Sequence, residues 1–299
     1  MNQPVIRIDF SVGFGNNLFQ FVYAKLLAEK IGAELYILPP NSEYYGIGAL
    51  DLLVTEEVSQ SDVTVITNYS MMDGIFSNGY ETISVTTEDQ AKNILNNPEI
   101  KNYRLRGYFE DYTLYERDLN KIRSWFTTPP DRDKKNAALH LRLGDRLFIP
   151  ATYQDEGLLT FEKYKRGLDK IDFETLCIVS DLPHWRHYEK DELLRCKYHT
   201  SLHTNTLDMS AKAAEYVNEL VDKFSESYKI TFVNKNLPSD FYRLMCYDKI
   251  VFGYSTFAWW AATLSGSSQV GVYEPWRAMK KTGNKNLGKT NYDGWFQWS

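Results

Sequence analysis

Cysteine is scarce in this chain: 299 residues carry three, Cys177, Cys196 and Cys246. An odd number at irregular spacing frames neither a disulfide scaffold nor a metal knuckle, and reduced thiols in a cytosolic protein are the expectation. Charge of one sign is lacking too. The formal net charge is −5 and no long basic run stands out, so nothing supports a nucleic-acid partner. No apolar run approaches the ~20 residues that cross a bilayer. Residues 1–12 are too short and too polar for a signal peptide. The expected chain has no transmembrane segment and is soluble and cytoplasmic, peripheral to a membrane at most.

Several catalytic signatures are also missing. No Lys-Ser/Thr follows a glycine loop, which excludes a P-loop enzyme. The sole Asp-x-Asp, Asp131-Arg132-Asp133, lies among turn formers and reads as solvated charge. His184 with His187, and His199 with His203, have helix-compatible spacing but no evident third ligand, so no metal site is expected. What the chain does have is apolar residues at 43%, enough for real cores, and a length that suggests two domains. Tyr and Trp are frequent among the aromatics; their flat rings suit sugar faces and ordinary cores alike.

Val5-Ile6-Arg7-Ile8-Asp9-Phe10 alternates and predicts a strand. It breaks at Gly13-Phe14-Gly15-Asn16. A helix ending near Gly32 follows, then a second strand over Ala33–Leu38, which together open an α/β domain. Residues 41–100 give no detailed reading. Tyr103–Phe109 looks like another strand, followed by a helix around 111–125. Thr127–Lys135 is the best domain linker. Beyond it, strands at 136–143, 174–180, 229–233, 249–254 and 269–273 alternate with helices near 160–170, 208–226, 239–247 and 257–264, which implies a parallel sheet. The expected domains are 1–128 and 136–274, with a tail over 275–299 packing back on the first.

Ligands of open parallel sheets bind beyond the carboxyl ends of the strands. Four clusters fall there. Gly13-Phe14-Gly15-Asn16-Asn17 lets the backbone turn tightly, and Asn16 can cap the helix or meet a phosphate or sugar oxygen; a structural turn explains it equally well. In Leu139–Arg146, His140 and Arg142 share one face while Leu139, Leu141 and Leu143 point into the opposite layer. The Arg142 fork suits a diphosphate, or pairs with Asp145 or another acid. Asp181, after the strand Cys177–Ser180, can take a ribose or base edge or cap the next helix. Ser255 and Thr256, ahead of Phe257, sit where a helix begins, as a phosphate cradle or a plain N-cap. Together they point to a nucleotide-sized ligand.

The order of these clusters resembles a known family. Gly13-Phe14-Gly15-Asn16-Asn17-Leu18-Phe19-Gln20 is similar to the GxGNQxFQ opening of the alpha-1,2-fucosyltransferases, glycosyltransferase family 11. His140–Asp145 is similar to their HxRRGD, Ser239–Cys246 with Ser255–Trp260 to their DLxLMxxC…NSTFSWW, and Gly107–Glu110 to their GYWQ. Leu143, Asn17 and Tyr254 depart from the pattern. The resemblance implies an α/β GT-B fold of two Rossmann-like domains facing across a cleft. It implies an inverting transferase with GDP-fucose as donor, a glycan hydroxyl as acceptor, and neither cofactor nor metal. By the same resemblance Arg142 holds the β-phosphate, with His140 and Asp145 orienting it or contacting the donor. Ser255, Thr256 and Phe257 bind phosphate and nucleoside, Asp181 the ribose or guanine. Gly15 and Asn16 reach the donor from the opposite domain. The candidates for the base are Asp145, Asp9, Glu110 and Asp111.

Overall fold

The computed structural model describes residues 3–10, 13–38, 63–65, 74–143, 158–180, 206–233, 235, 237–273 and 287–299. The chain forms two compact units, Met1–Thr128 with Ala278–Leu287, and Pro129–Arg277 with Gly288–Ser299.

In the first unit β1 (Val5–Asp9) leads into α1 (Phe14–Ile31), which stops at Gly32. Gly32 has φ 66°, a left-handed end that glycine adopts without a Cβ penalty. There follow β2 (Glu34–Leu38), β3 (Val63–Val65), β4 (Thr82–Val85), α2 (Glu88–Asn96) and β5 (Asn102–Leu105). Thr87 and Gln90 close a capping box on α2. The sheet is wholly parallel, in the order β3-β2-β1-β5-β4. Side chains alternate along each strand, so in-register residues form rows of one face. Ile37, Ile8, Leu105 and Val85 make an apolar, buried row. The neighbouring row, on the other face, is Thr64, Tyr36, Arg7, Arg104 and Ser84, polar on all five strands. Parallel sheets are usually apolar on both faces; this one is not.

The strand expected over 103–109 ends at Leu105, because the chain turns through Gly107 and through Phe109 at φ 57°. The single helix expected around 111–125 is two 3₁₀ turns, Tyr112–Leu114 and Glu116–Asp118, before α3 (Leu119–Ser124). Asp111 Oδ1 accepts from the Thr113 amide and hydroxyl at 3.0 and 2.9 Å, a local bond that competes with helix formation.

The second unit runs β6 (Asp133–Leu141), α4 (Phe161–Leu168), β7 (Thr175–Ser180), α5 (Thr206–Ser225), β8 (Lys229–Val233), α6 (Leu237–Met245), β9 (Tyr247–Phe252), α7 (Thr256–Ser265), β10 (Gln269–Tyr273) and β11 (Trp295–Trp298). All pairs are parallel, in the order β11-β10-β9-β6-β7-β8. Counted within the unit from β8, that is the 3-2-1-4-5-6 order of doubly wound nucleotide-binding sheets. Leu139, Leu141, Ile178 and Val251 pack on one face against Leu168, Leu220 and Phe224. On the other face α7 is apolar on every side, with Trp259 and Trp260 fully buried, as an interior helix must be.

The linker expectation is corrected here. β6 already begins at Asp133, inside the stretch read as linker. Asp133 is not simply solvated: its carboxylate accepts from the Lys135 and Asn136 amides, both at 2.9 Å, and from Asn136 Nδ2 at 2.7 Å. Arg132 Nε pairs with Asp248 Oδ1 at 3.0 Å and Nη1 donates to the Ser265 carbonyl, which ties the start of β6 to β9 and α7. Of the tail expected over 275–299 to pack back on the first domain, Ala278–Leu287 group with the first unit and Gly288–Ser299 with the second, where Trp295–Trp298 extend the sheet beside β10. Trp298 fills the core against Tyr273 and Tyr164, ring centroids 4.8 and 5.9 Å away, an aromatic burial that an edge strand supplies and a surface wrap does not.

Candidate functional site

The order of the second sheet reverses between β6 and β9, and a crevice for a ligand opens at the carboxyl ends of two such strands. β6 ends with His140 and Leu141 and is followed by Arg142; β9 ends at Phe252 and reaches α7 through Gly253, Tyr254 and Ser255. Five of the predicted site residues, His140, Arg142, Ser255, Thr256 and Phe257, therefore meet at one place.

The two faces separate as the alternation predicts. Leu139 and Leu141 lie in the core, and Leu143 is fully buried against Val217. Leu143 is thus a packing residue at its position. His140 faces α7, its ring 5.5 Å from that of Phe257, which in turn meets Phe241 edge-on at 5.0 Å. Burial, and then the Arg142 guanidinium, push the His140 imidazole down to about 3, so it is neutral at ordinary pH. Its Nδ1 is buried with no hydrogen-bond partner among the described residues. An unsatisfied buried polar atom costs roughly 1–3 kcal/mol, so a packing role alone leaves His140 unexplained.

Arg142 Nη1 donates to the Tyr254 carbonyl at 3.2 Å, which anchors the guanidinium one residue ahead of the cap of α7. Ser255 is that cap: its Oγ accepts from the Ala258 amide at 3.1 Å. The helix N-terminus carries the positive end of the macrodipole, and its first turn is Thr256-Phe257-Ala258. A cation, a helix start and a neutral imidazole thus stand together. The arrangement suits an anion of two or more oxygens. Ser255 and Thr256 are buried and Phe257 is half-buried.

In the first unit the helix starts earlier than the sequence suggested. Gly13 is the N-cap of α1, with no side-chain capping bond, and Gly15, Asn16 and Asn17 already belong to the first turn. The Asn16 and Asn17 amides donate to the Gly13 carbonyl at 3.0 and 3.1 Å, so Asn16 is not the cap. Gly13 has φ −60°, which any residue adopts, and a Cβ there would meet nothing within 4 Å. The three base candidates of this unit differ in engagement. Asp9 is held by arginines, Asp111 caps a 3₁₀ turn, and Glu110 is buried behind the left-handed Phe109. Phe109 is kept in that conformation by stacking on Tyr23 at 4.4 Å and by Tyr115 Oη, which donates to its carbonyl at 2.6 Å.

Asp145, Asp181 and the four histidines at 184, 187, 199 and 203 lie outside the described residues. Among the described residues no three His, Cys, Asp or Glu side chains group to hold a metal, and no helix is long and apolar enough to cross a membrane. Sequence reasoning missed the Tyr254 carbonyl as the anchor of Arg142, which only the register of β6 beside β9 reveals.

No protein-family model matches the chain, and no curated protein sequence is similar to it. Among solved structures, a mutant of Arabidopsis thaliana FUT1 in complex with GDP is similar at 12% identity over 94% of this chain and 72% of its own, with a TM-score of 0.50. The fucosyltransferase NodZ from Bradyrhizobium aligns at 12% identity over 95% of this chain and 98% of its own, with a TM-score of 0.48. At such identities a likeness speaks for architecture only: the chain is an α/β protein of the GT-B fold.

Proposed function

We propose that this chain is a glycosyltransferase that binds a GDP-linked sugar at the β6–β9 switch point and passes it to a sugar hydroxyl. The sugar is L-fucose, the linkage of the alpha-1,2 type, and the reaction inverts the anomeric centre without a metal. In this reading the second unit takes the donor and the first unit the acceptor. The observation that carries it is the Arg142 guanidinium fixed on the Tyr254 carbonyl, directly before the Ser255-capped start of α7. The similar Arabidopsis FUT1 structure holds GDP, which agrees with that choice of nucleotide.

The chemistry follows from the charges. As the glycosidic bond to the diphosphate breaks, negative charge grows on the β-phosphate and the sugar passes through an oxocarbenium-like state. Arg142 and the amides at the start of α7 are preorganised to meet that charge. His140 stays neutral and offers a hydrogen bond from a ring held by Phe257. Asp145, three residues beyond Arg142, is the best candidate for the base, and Asp181 for the partner of the ribose or guanine.

A thermal-shift panel of GDP, UDP and ADP tests the reading. GDP at about 100-fold its Kd should add about 2.7 kcal/mol, with UDP and ADP well behind. A preference for UDP or ADP replaces the donor, and no response to any nucleotide removes the reading. Hydrolysis of GDP-fucose without acceptor separates an enzyme from a binding module.

A further inference from the structure

Three guanidiniums surround one carboxylate on the polar face of the first sheet. Arg7 and Asp9 lie two apart on β1 and share that face; Arg104 is in register with Arg7 on β5, and Arg106 follows two residues on. Arg7 Nε and Nη2 donate to Asp9 Oδ1 and Oδ2 at 2.9 and 3.1 Å. Arg104 Nε and Nη2 both donate to Oδ2, at 3.1 and 3.0 Å. Oδ2 thus already receives three donors. Arg106 Nε stands 3.7 Å from it, outside hydrogen-bond range.

This is more cation than the carboxylate needs. The two-pronged fork of Arg7 alone satisfies it. The second and third guanidiniums bring like-charge repulsion, and among the described residues neither pairs with an acid other than Asp9. Glu34 lies further back on the same face, where the Tyr36 hydroxyl donates to it at 2.8 Å. Counted over these four side chains alone, the cluster carries two net positive charges. Its depth is graded: Arg7 is 2% exposed, Arg104 31% and Arg106 48%, so a fixed charge lies beneath two reachable forks. It also sits where the strand order of this sheet reverses, between β1 and β5 at their carboxyl ends.

We propose that Arg104 and Arg106, backed by Arg7, form a subsite for an oxyanion carried by a sugar, a carboxylate or a phosphate group. The proposal rests on the glycosyltransferase reading for its role: the acceptor is then an acidic saccharide. The guanidinium fork matches either oxyanion with two parallel hydrogen bonds, which an ammonium cannot do.

Calorimetric titration of the full chain tests it, with methyl glucuronide, glucose 1-phosphate and neutral methyl glucoside as probes and GDP alongside. Both charged sugars should bind at least roughly ten-fold more tightly than the neutral one, and the tighter of the two names the oxyanion. Arg106→Gln should lose roughly ten-fold for the charged sugars and leave GDP unchanged, while Arg106→Lys recovers part of the loss. Equal binding of the neutral sugar, an unaffected Arg106→Gln, or no binding of either charged sugar at millimolar concentration overturns the subsite. Acidic sugars binding where GDP does not would keep the subsite and remove the transferase reading; the reverse would remove the subsite alone.

Discussion

Two rows of side chains, one in each sheet, use the same parallel architecture in opposite ways. In the first sheet Thr64, Tyr36, Arg7, Arg104 and Ser84 place a polar group on every strand. In the second, Val233, Val179, His140, Phe252, Val272 and Gln297 are apolar except for His140 and the edge residue Gln297. A sheet covered by apolar helices on both faces can hold polar atoms only where its strands end. The polar groups of the second sheet therefore gather at the β6–β9 switch point. The first sheet spreads polar groups across a whole face, and its three guanidiniums outnumber the one carboxylate they share. The first surface is thus shaped by ion pairs on one carboxylate, the second by a guanidinium held on the Tyr254 carbonyl beside a buried imidazole.

The largest expected effect lies at the end of β6. Arg142→Ala should fold, because the side chain is only partly buried. It should lose more than roughly 100-fold in kcat, the size seen when one preorganised donor to a developing negative charge is removed. Steady-state turnover of GDP-fucose beside a melting curve checks both halves. Near-normal turnover would mean that the switch-point cation carries no more function than the paired arginines of the first sheet.

His140 gives the next effect, through pH. Folded His140 holds its proton only near pH 3, against an unfolded value near 6.5. Between these values the unfolded chain binds more protons than the native one, so this residue's contribution is full above pH 6.5 and falls away as the pH drops. The slope approaches about 1.4 kcal/mol per pH unit, or about 2 kcal/mol between pH 6.5 and 5. Urea unfolding at pH 7, 6 and 5 should show that loss in the native chain and a flatter profile in His140→Phe. Parallel profiles would place the pH dependence elsewhere and weaken the contrast between the rows.

Much of this was legible before any coordinates. Five of the six strands of the second sheet are legible nearly to their bounds, because central parallel strands are runs of apolar residues between turn formers, and the two-residue period puts His140 opposite Leu139 and Leu141; the edge strand Trp295–Trp298 is not. The alternation of Val5–Phe10 was read as a strand. Its further meaning, a polar face on a parallel sheet, needed the neighbours Tyr36 and Arg104, which only register supplies. The cap of α1 was misplaced by three residues because Asn16 is the better capping residue by type, yet Gly13 occupies the position. The left-handed residue after β5 could not be foreseen. Gly107 is the residue that local chemistry would choose, whereas Phe109 adopts the conformation, held there by Tyr23 from the distant helix α1 and by Tyr115 beyond the turn.

The smallest effect tests the first row from within. Asp9→Asn removes the one carboxylate that the three guanidiniums share. Breaking a fully buried pair costs roughly 3–5 kcal/mol, but Asp9 is 23% exposed and water relieves part of the repulsion, so a loss of about 1–2 kcal/mol is expected. Raised salt should shrink it, since the uncovered charges are then screened. The same change should strengthen binding of an acidic sugar, because the internal counter-charge is gone and the fork of Arg104 is released from it. Destabilisation with unchanged binding of charged sugars would make the row an internal brace; destabilisation with tighter binding would make it a charged surface that the chain itself half-neutralises.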